Sequence, residues 1–298
     1  MTLLAAKQPW HIAPFEARRA TELAKEVGVP PLITHLLLLR GLQTAADMRD
    51  FIKPSLRHLS NPFDLTDMQV AVNRIIKAKE RGEAVLVFGD YDVDGITASA
   101  ILARGLQRFG IRRVDCDMPS RFVEGYGITP DRVDEARERG FDLIITVDNG
   151  ISAHAAAARA RHIGLDMIIT DHHTLEATLP PAVAVINPKR GRPDHPAAML
   201  SGAGVALKLA MALNGVPHDL DIAALGTISD IVPLLAENRV IAALGLKHMV
   251  KHNRVGIAKL AHVAHFDLSS VTSHKIAFQL GPRLNAAGRL DTGFSALE

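Results

Sequence analysis

From Asp64 onward, the apolar positions repeat with two different periods, which predict two kinds of element. Met68, Val72, Ile75 and Ile76 share one face of a helix that Gly82 stops. "AVLVF" (Ala84 to Phe88) is an unbroken apolar run, as expected of a strand covered on both faces. Further strands are predicted around Val114–Met118, at "DLIITV" (Asp142–Val147), at "DMIIT" (Asp166–Thr170) and at "VAVI" (Val183–Ile186). Between them run helical patterns with stops at Gly110, Gly140 and Gly164. Thr129 and Pro130 are the predicted N-cap and first residue of one helix, and Ser152 the predicted cap of an Ala-rich one. Strand alternating with helix predicts an α/β fold built on a parallel sheet flanked by helices. Residues 1–62 carry short helical patterns and several prolines without a clear strand, and are expected to form an N-terminal helical extension. Residues 63–245 hold the α/β pattern, and beyond Ser201 the chain is mostly helical.

Composition adds mainly exclusions. A chain of 298 residues, 48% hydrophobic and 22% charged, has the balance of an ordinary soluble globular protein with a sizeable core. No apolar run approaches the length of a membrane span, and "MTLLAAKQPW" lacks the features of a signal peptide. The single cysteine, Cys116, cannot form an internal disulfide, which fits a reducing cytoplasm. A formal charge of +2 does not by itself announce a nucleic-acid protein, and 4% aromatics promise little base stacking.

The candidate chemistry lies where strands end. "GDYDVDG" (Gly89–Gly95) sets Asp90, Asp92 and Asp94 two residues apart. An EF-hand would need a helix before this loop and a bidentate Glu at its twelfth position. Here a strand precedes it and the twelfth residue is Ile101, so calcium by that route is disfavoured and a solvated acidic turn is the plain alternative. However, "LIITV" also runs into an acid, Asp148, and "MIIT" runs into Asp171, His172 and His173. In open parallel sheets ligands bind beyond the carboxyl ends of the strands, so these side chains are expected to converge. "GTISDIVPL" (Gly226–Leu234) adds Asp230 inside an otherwise apolar segment, where a buried carboxylate needs a cation or strong hydrogen bonds. Asp90, Asp92, Asp94, Asp148, His172 and Asp230 make five carboxylates and one imidazole. That set suits Mn²⁺ or Mg²⁺ and exceeds what one ion needs, and a pair of ions bridged by a shared carboxylate hydrolyses phosphoesters. "SGAG" (Ser201–Gly204) reads equally as a tight helix start near this cluster or as plain packing.

Taken together, "GDYDVDG", "TVDNGIS", "TDHH" and "GTISDIVPL" resemble the four motifs of the DHH phosphoesterase superfamily. "EGYGI" (Glu124–Ile128) and "GPRLNAAGRLD" (Gly281–Asp291) narrow the resemblance to its RecJ-type branch of single-strand exonucleases, from about residue 30 onward. The resemblance implies a Rossmann-like DHH domain over 63–245 and a two-manganese site, with Mg²⁺ as the alternative metal. Asp90, Asp92 and Asp148 would hold one ion, and Asp94, Asp148, His172 and Asp230 the other. It implies catalytic roles for Asp148 as the bridge, for His173 facing the scissile phosphate and for Asp171 orienting a histidine ring. Substrate contacts would come from Arg283, Asn285 and Arg289, with Tyr126 and Arg121 lining the strand's path. The implied activity is 5′-to-3′ hydrolysis of single-stranded DNA to mononucleotides in DNA repair and recombination. Single-strand-binding protein and a helicase are the implied protein partners. A DHH-type oligoribonuclease, a small-substrate phosphatase and a non-catalytic nucleic-acid-binding scaffold are the rival readings.

The sequence also departs from the family. Residues 246–298 are read as connecting helices and the start of a truncated second domain, since no Gly-Gly-His motif occurs and the residues stop at Glu298. Reduced activity is the expected result. "DHHTLEATLP" lacks the shorter Leu-Pro-Gly sequel common after this motif, which concerns loop shape more than ligands.

Overall fold

In the computed structural model, residues 13–119, 127–290 and 294–297 are described. The chain divides into two units, Met1–Pro54 and Ser55–Glu298, so residues 55–62 of the expected extension belong with the second unit. The first unit contains α1 (Ala17–Val27), α2 (Pro31–Leu39) and α3 (Ala45–Ile52), gathered around Ala20, Leu37, Leu38 and Met48.

The second unit is organised by a parallel sheet of five strands in the order β2-β1-β3-β4-β5. These are β1 (Ala84–Phe88), β2 (Arg113–Asp117), β3 (Leu143–Val147), β4 (Asp166–Thr170) and β5 (Ala184–Ile186). Helices α4 (Met68–Arg81), α5 (Val93–Phe109), α6 (Pro130–Glu138) and α7 (His154–His162) alternate with the first four strands. Each strand sends alternate residues to opposite layers. Val85, Val87, Ile145 and Ile168 pack with α4, α5 and the later helices, whereas Leu86, Phe88, Ile144 and Ile169 pack with α6 and α7. Burial on both faces is why β1, β3 and β4 read as continuous apolar runs. The outer strand β2 keeps Arg113, Asp115 and Asp117 among its residues, and charges of this kind discourage edge-to-edge association.

Most predicted element ends match. Gly82 and Gly110 close α4 and α5 in left-handed backbone, and Thr129 accepts from the Arg132 N–H at the start of α6. Ser152 does not cap α7. That helix begins two residues later, after Ala153, because Gly150 and Ser152 are taken up in a turn fixed by backbone hydrogen bonds to Ala153 and His154.

The later helices are α8 (Gly202–Asn214), α9 (Leu220–Ser229), α10 (Ala236–His252), α11 (Val255–Val263) and α12 (Ser273–Lys275). A π-helical turn, Ile276–Leu280, then leads into α13 (Gly281–Leu290). Asp219, just before α9, is buried and accepts from Arg104 and Arg108 of α5 and from Arg254 at the start of α11; Asp221 also binds Arg254. Burial raises the Asp219 pKa, but the arginines outweigh it and hold the carboxyl below its usual range. These ion pairs tie α5, α9 and α11 together. Among the described residues, no helix is long and apolar enough to cross a membrane.

Candidate metal centre

Neighbouring strands β1, β3 and β4 end in Gly89–Asp90, Asp148 and Asp171–His173 respectively, so the sheet brings three of the motifs side by side. The crossover from β1 runs outward to β2, and the chain then returns past β1 to β3. The cluster therefore lies at the point where the winding reverses, the usual ligand crevice of such sheets. Polar side chains lock these strand ends. Asn149 Nδ2 donates to the carbonyls of Phe88 and Val147, Thr146 Oγ1 to the Asn149 carbonyl, and Thr170 Oγ1 to the Thr146 carbonyl. Asp148 itself adopts φ 61°, left-handed backbone that non-glycine residues seldom occupy and that recurs at functional sites.

The acidic loop is built into the start of α5. Asp92 is the N-cap, its Oδ1 accepting from the Gly95 N–H at 3.0 Å, while Asp90 Oδ1 accepts from the Tyr91 N–H at 2.7 Å. The glycine of "GDYDVDG" serves close approach: a Cβ at Gly95 would lie 2.5 Å from the Asp90 carbonyl oxygen. Asp94 points the other way, into the N-terminus of α8. Its Oδ1 and Oδ2 accept from the Ala203 and Gly202 N–H groups at 2.9 and 2.5 Å, and Ser201 caps the helix through its bond from the Gly204 N–H. "SGAG" is thus both a helix start and the seat of an acidic side chain. A Cβ at Gly202 would collide with the Asp148 carboxylate, 2.5 Å from Oδ1.

Asp230 forms the C-cap of α9 and sits at the edge of its apolar segment rather than within it. The following Ile231 is 85% exposed and has φ 61°. From this edge the Asp230 carboxylate reaches His172. His172 Nε2 is 3.1 Å from Asp148 Oδ1, 3.7 Å from Asp94 Oδ2 and 3.7 Å from Asp230 Oδ2. Both His172 Nε2 and Asp230 Oδ2 are buried and take no hydrogen bond from the described residues.

Among the described residues, three donor groups are close enough to hold a cation: Asp90, Asp92 and Asp148; Asp94, His172 and Asp230; and Asp148, His172 and His173. In each, the donor atoms lie within 4.8 Å of one another. Burial is the main force on their ionisation. It pushes Asp90, Asp94 and Asp230 up to about 7, with nearby aspartates adding to it, and raises Asp148 well above the carboxylate range. It also lowers the His172 pKa, favouring the neutral ring that a metal requires.

Asp171 differs from its neighbours. Its Oδ1 accepts from the His172 and His173 N–H groups and from His173 Nδ1, the last at 2.7 Å, and its Oδ2 accepts from the Ile151 N–H. Burial alone would raise the pKa, but these bonds outweigh it and lower it. The ring that Asp171 orients is that of His173, whose pKa rises chiefly through this bond. Asn187 Nδ2 holds the His173 carbonyl from the end of β5.

The residues expected to touch a strand are placed less fully. Arg283 is exposed on α13 and donates to the Gln279 carbonyl. Asn285 Oδ1 accepts from the Val93 N–H at 3.0 Å, so it meets the acidic loop. Arg289 belongs to the backbone of α13, but its side chain lies outside the described residues, as do Arg121 and Tyr126 entirely. Sequence reasoning missed Asn149 and Asn187, and it placed "SGAG" near the cluster without foreseeing that its N–H groups hold Asp94. An Asn directly after a strand-end Asp and a Ser-Gly pair before an apolar helix were the available signals.

Residues 84–228 match the model of the DHH family, N-terminal domain. Over 291 residues the chain is 40% identical to the single-stranded-DNA-specific exonuclease RecJ of Bacillus subtilis (strain 168), an alignment covering 97% of this chain and 37% of that protein. It superposes on a crystal structure of exonuclease RecJ bound to manganese with a TM-score of 0.72 and 36% identity, over 82% of this chain and 62% of that one. For RecJ in complex with Mn²⁺ from Thermus thermophilus the TM-score is 0.79 at 32% identity, over 94% and 40% of the two chains. The chain thus spans less than two thirds of each of these proteins. With the matched residues enclosing the strand-end cluster, the chain carries a DHH-family N-terminal domain and is similar to RecJ along nearly its whole length.

Proposed function

We propose that this chain carries the catalytic site of an exonuclease that hydrolyses single-stranded DNA from the 5′ end to mononucleotides, in DNA repair and recombination. The observation that supports it best is the position of Asp148. It belongs to the donor group with Asp90 and Asp92, and its Oδ1 lies 3.1 Å from the His172 nitrogen of the group with Asp94 and Asp230. Asp148 would therefore be shared by two ions, one held with Asp90 and Asp92 and the other with Asp94, His172 and Asp230. Carboxylates with one neutral imidazole fit Mn²⁺, with Mg²⁺ as the alternative. His172 Nε2 and Asp230 Oδ2, buried and without a hydrogen bond among the described residues, favour that fit, since a cation between them would satisfy both. When bound, such a pair supplies Lewis acidity toward a phosphodiester and a nucleophile at neutral pH.

The chain's own groups do the rest. The Gly202 and Ala203 N–H groups fix the Asp94 carboxylate in one orientation. Asp171 holds His173 toward its protonated form beside the donor cluster, where the imidazolium can steady phosphate charge or give a proton to the leaving oxygen. Arg283 and Arg289 on α13 would hold the strand by its phosphates without reading sequence.

The direct test is digestion of a long 5′-labelled single strand, its duplex and a dinucleotide with Mn²⁺ present. Mononucleotides released from the single strand and not from the duplex are expected. Cleavage of the dinucleotide alone would replace this reading with that of a small-substrate phosphodiesterase. Two substitutions separate the assigned roles. Asp148→Ala should abolish hydrolysis and weaken binding of both ions in a calorimetric Mn²⁺ titration. His173→Ala should keep the ions and slow turnover by about 10²–10⁴-fold. Loss of Mn²⁺ in His173→Ala would instead make His173 a ligand, as the third donor group allows.

A pH dependence follows from the raised carboxyls. Groups whose folded pKa lies above the unfolded value stabilise the fold below the unfolded value and lose that contribution as pH rises through the folded one. For Asp90, Asp94 and Asp230 the window runs from about 4 to about 7. The metal-free protein should therefore melt at progressively lower temperature as pH rises across this window, relative to a protein with the three residues changed to Asn. Added Mn²⁺ should reverse the fall by replacing the protons as counter-charge.

A further inference from the structure

Helix α13 meets the acidic cluster at two places. At its start, a Cβ on Gly281 would lie 2.7 Å from Ser229 Oγ, so the helix packs against the residue just before Asp230. One turn later, Asn285 Oδ1 takes the N–H of Val93, between Asp92 and Asp94 and 192 residues away in sequence. The π-helical turn Ile276–Leu280 sets the phase of α13, since an extra residue in a turn rotates everything that follows.

The Val93 N–H needs such a partner. Val93 is the first residue of α5, and the first N–H groups of a helix have no acceptor within it. The acceptors nearest in sequence are the carboxylates of Asp90, Asp92 and Asp94. Asp92 Oδ1 already serves Gly95, Asp90 Oδ1 serves Tyr91, and both Asp94 oxygens serve α8. Another claim on Asp90 or Asp92 would draw an oxygen away from the group they form with Asp148. A neutral amide from α13 fills the need without adding a further negative charge to the crowd.

We propose that Asn285 is a positioning residue for the metal donors: by occupying the Val93 N–H it keeps Asp90 and Asp92 available to a cation. The inference rests on the metal-centre part of the proposed function and gives Asn285 a task apart from strand contact. It also makes the helix that carries Arg283 part of the metal site's frame.

The test is a calorimetric Mn²⁺ titration of the full chain without DNA. Asn285→Ala should weaken one of the two binding events by about 10–100-fold, the usual scale for a lost supporting partner at a metal site. Asn285→Asp keeps the acceptor and should bind at least as tightly as the wild type. Val93→Pro supplies the decisive background, because it removes the N–H itself. Proline suits the first helical position, and Asp92 before it already has the extended backbone proline demands. In Val93→Pro the further change Asn285→Ala should have no effect on Mn²⁺ affinity. Wild-type affinity in Asn285→Ala with a raised KM for the single strand would overturn the proposal and leave Asn285 a strand contact. Equal weakening by Asn285→Ala with and without Val93→Pro would overturn it as well, as would weakened binding in Asn285→Asp. The titration involves no turnover. A wild type that binds Mn²⁺ but digests no DNA would refute the nuclease reading and leave this inference intact.

Discussion

The second unit is arranged around the cost of bringing carboxylates together out of water. Asp90, Asp94 and Asp148 are 3%, 1% and 2% exposed, and Asp92 and Asp230 lie beside them. Ionised together with nothing between them, they would repel one another in a medium that screens poorly. The fold offsets part of this with backbone N–H groups: those of Gly202 and Ala203 on Asp94, of Gly95 on Asp92 and of Tyr91 on Asp90. Burial first, and the neighbouring aspartates after it, still raise the pKa of Asp90, Asp94, Asp148 and Asp230. A divalent cation is the remaining compensation that the donor geometry suggests.

Much of the fold was legible because its signals are local. The unbroken runs of β1, β3 and β4 reflect burial on both faces, and the glycines after α4 and α5 mark their left-handed ends. The strand-end placement of Asp90, Asp148 and His172 also followed from the sheet rule, without knowledge of strand order. What could not be read was support arriving from far along the chain. The hold of α8 on Asp94 spans more than a hundred residues and comes from backbone groups, which have no letter in a sequence. Asn285 was expected as a contact for the strand through the family resemblance, and nothing in "GPRLNAAGR" says that its amide reaches Val93. Ser152 carries the local signal of a cap, and the turn at Gly150 overrides it by moving the N-cap of α7 one residue on, to Ala153.

The two histidines show how position overrides residue type. His172 and His173 are adjacent, with ring centroids 4.6 Å apart, yet burial lowers the pKa of one while the bond to Asp171 raises that of the other. The ring shifted toward its neutral form faces the carboxylates, and the one shifted toward its protonated form stands at the more exposed margin. One dipeptide thus holds two imidazoles whose proton affinities are pushed in opposite directions by their surroundings.

The lattice formed by Thr146, Asn149, Thr170 and Asp171 has a consequence for kinetics. These side chains fix the backbone around the strand ends through protein partners alone: Thr146 with Asn149, Asn149 with Phe88 and Val147, Thr170 with Thr146 and Asp171 with Ile151. On the proposed reading, an arriving ion finds its oxygens already in place on the sheet side and waits for no loop to fold. The slow event in loading then passes from the polypeptide to the ion, which must shed its own water shell, and Mg²⁺ surrenders that shell reluctantly.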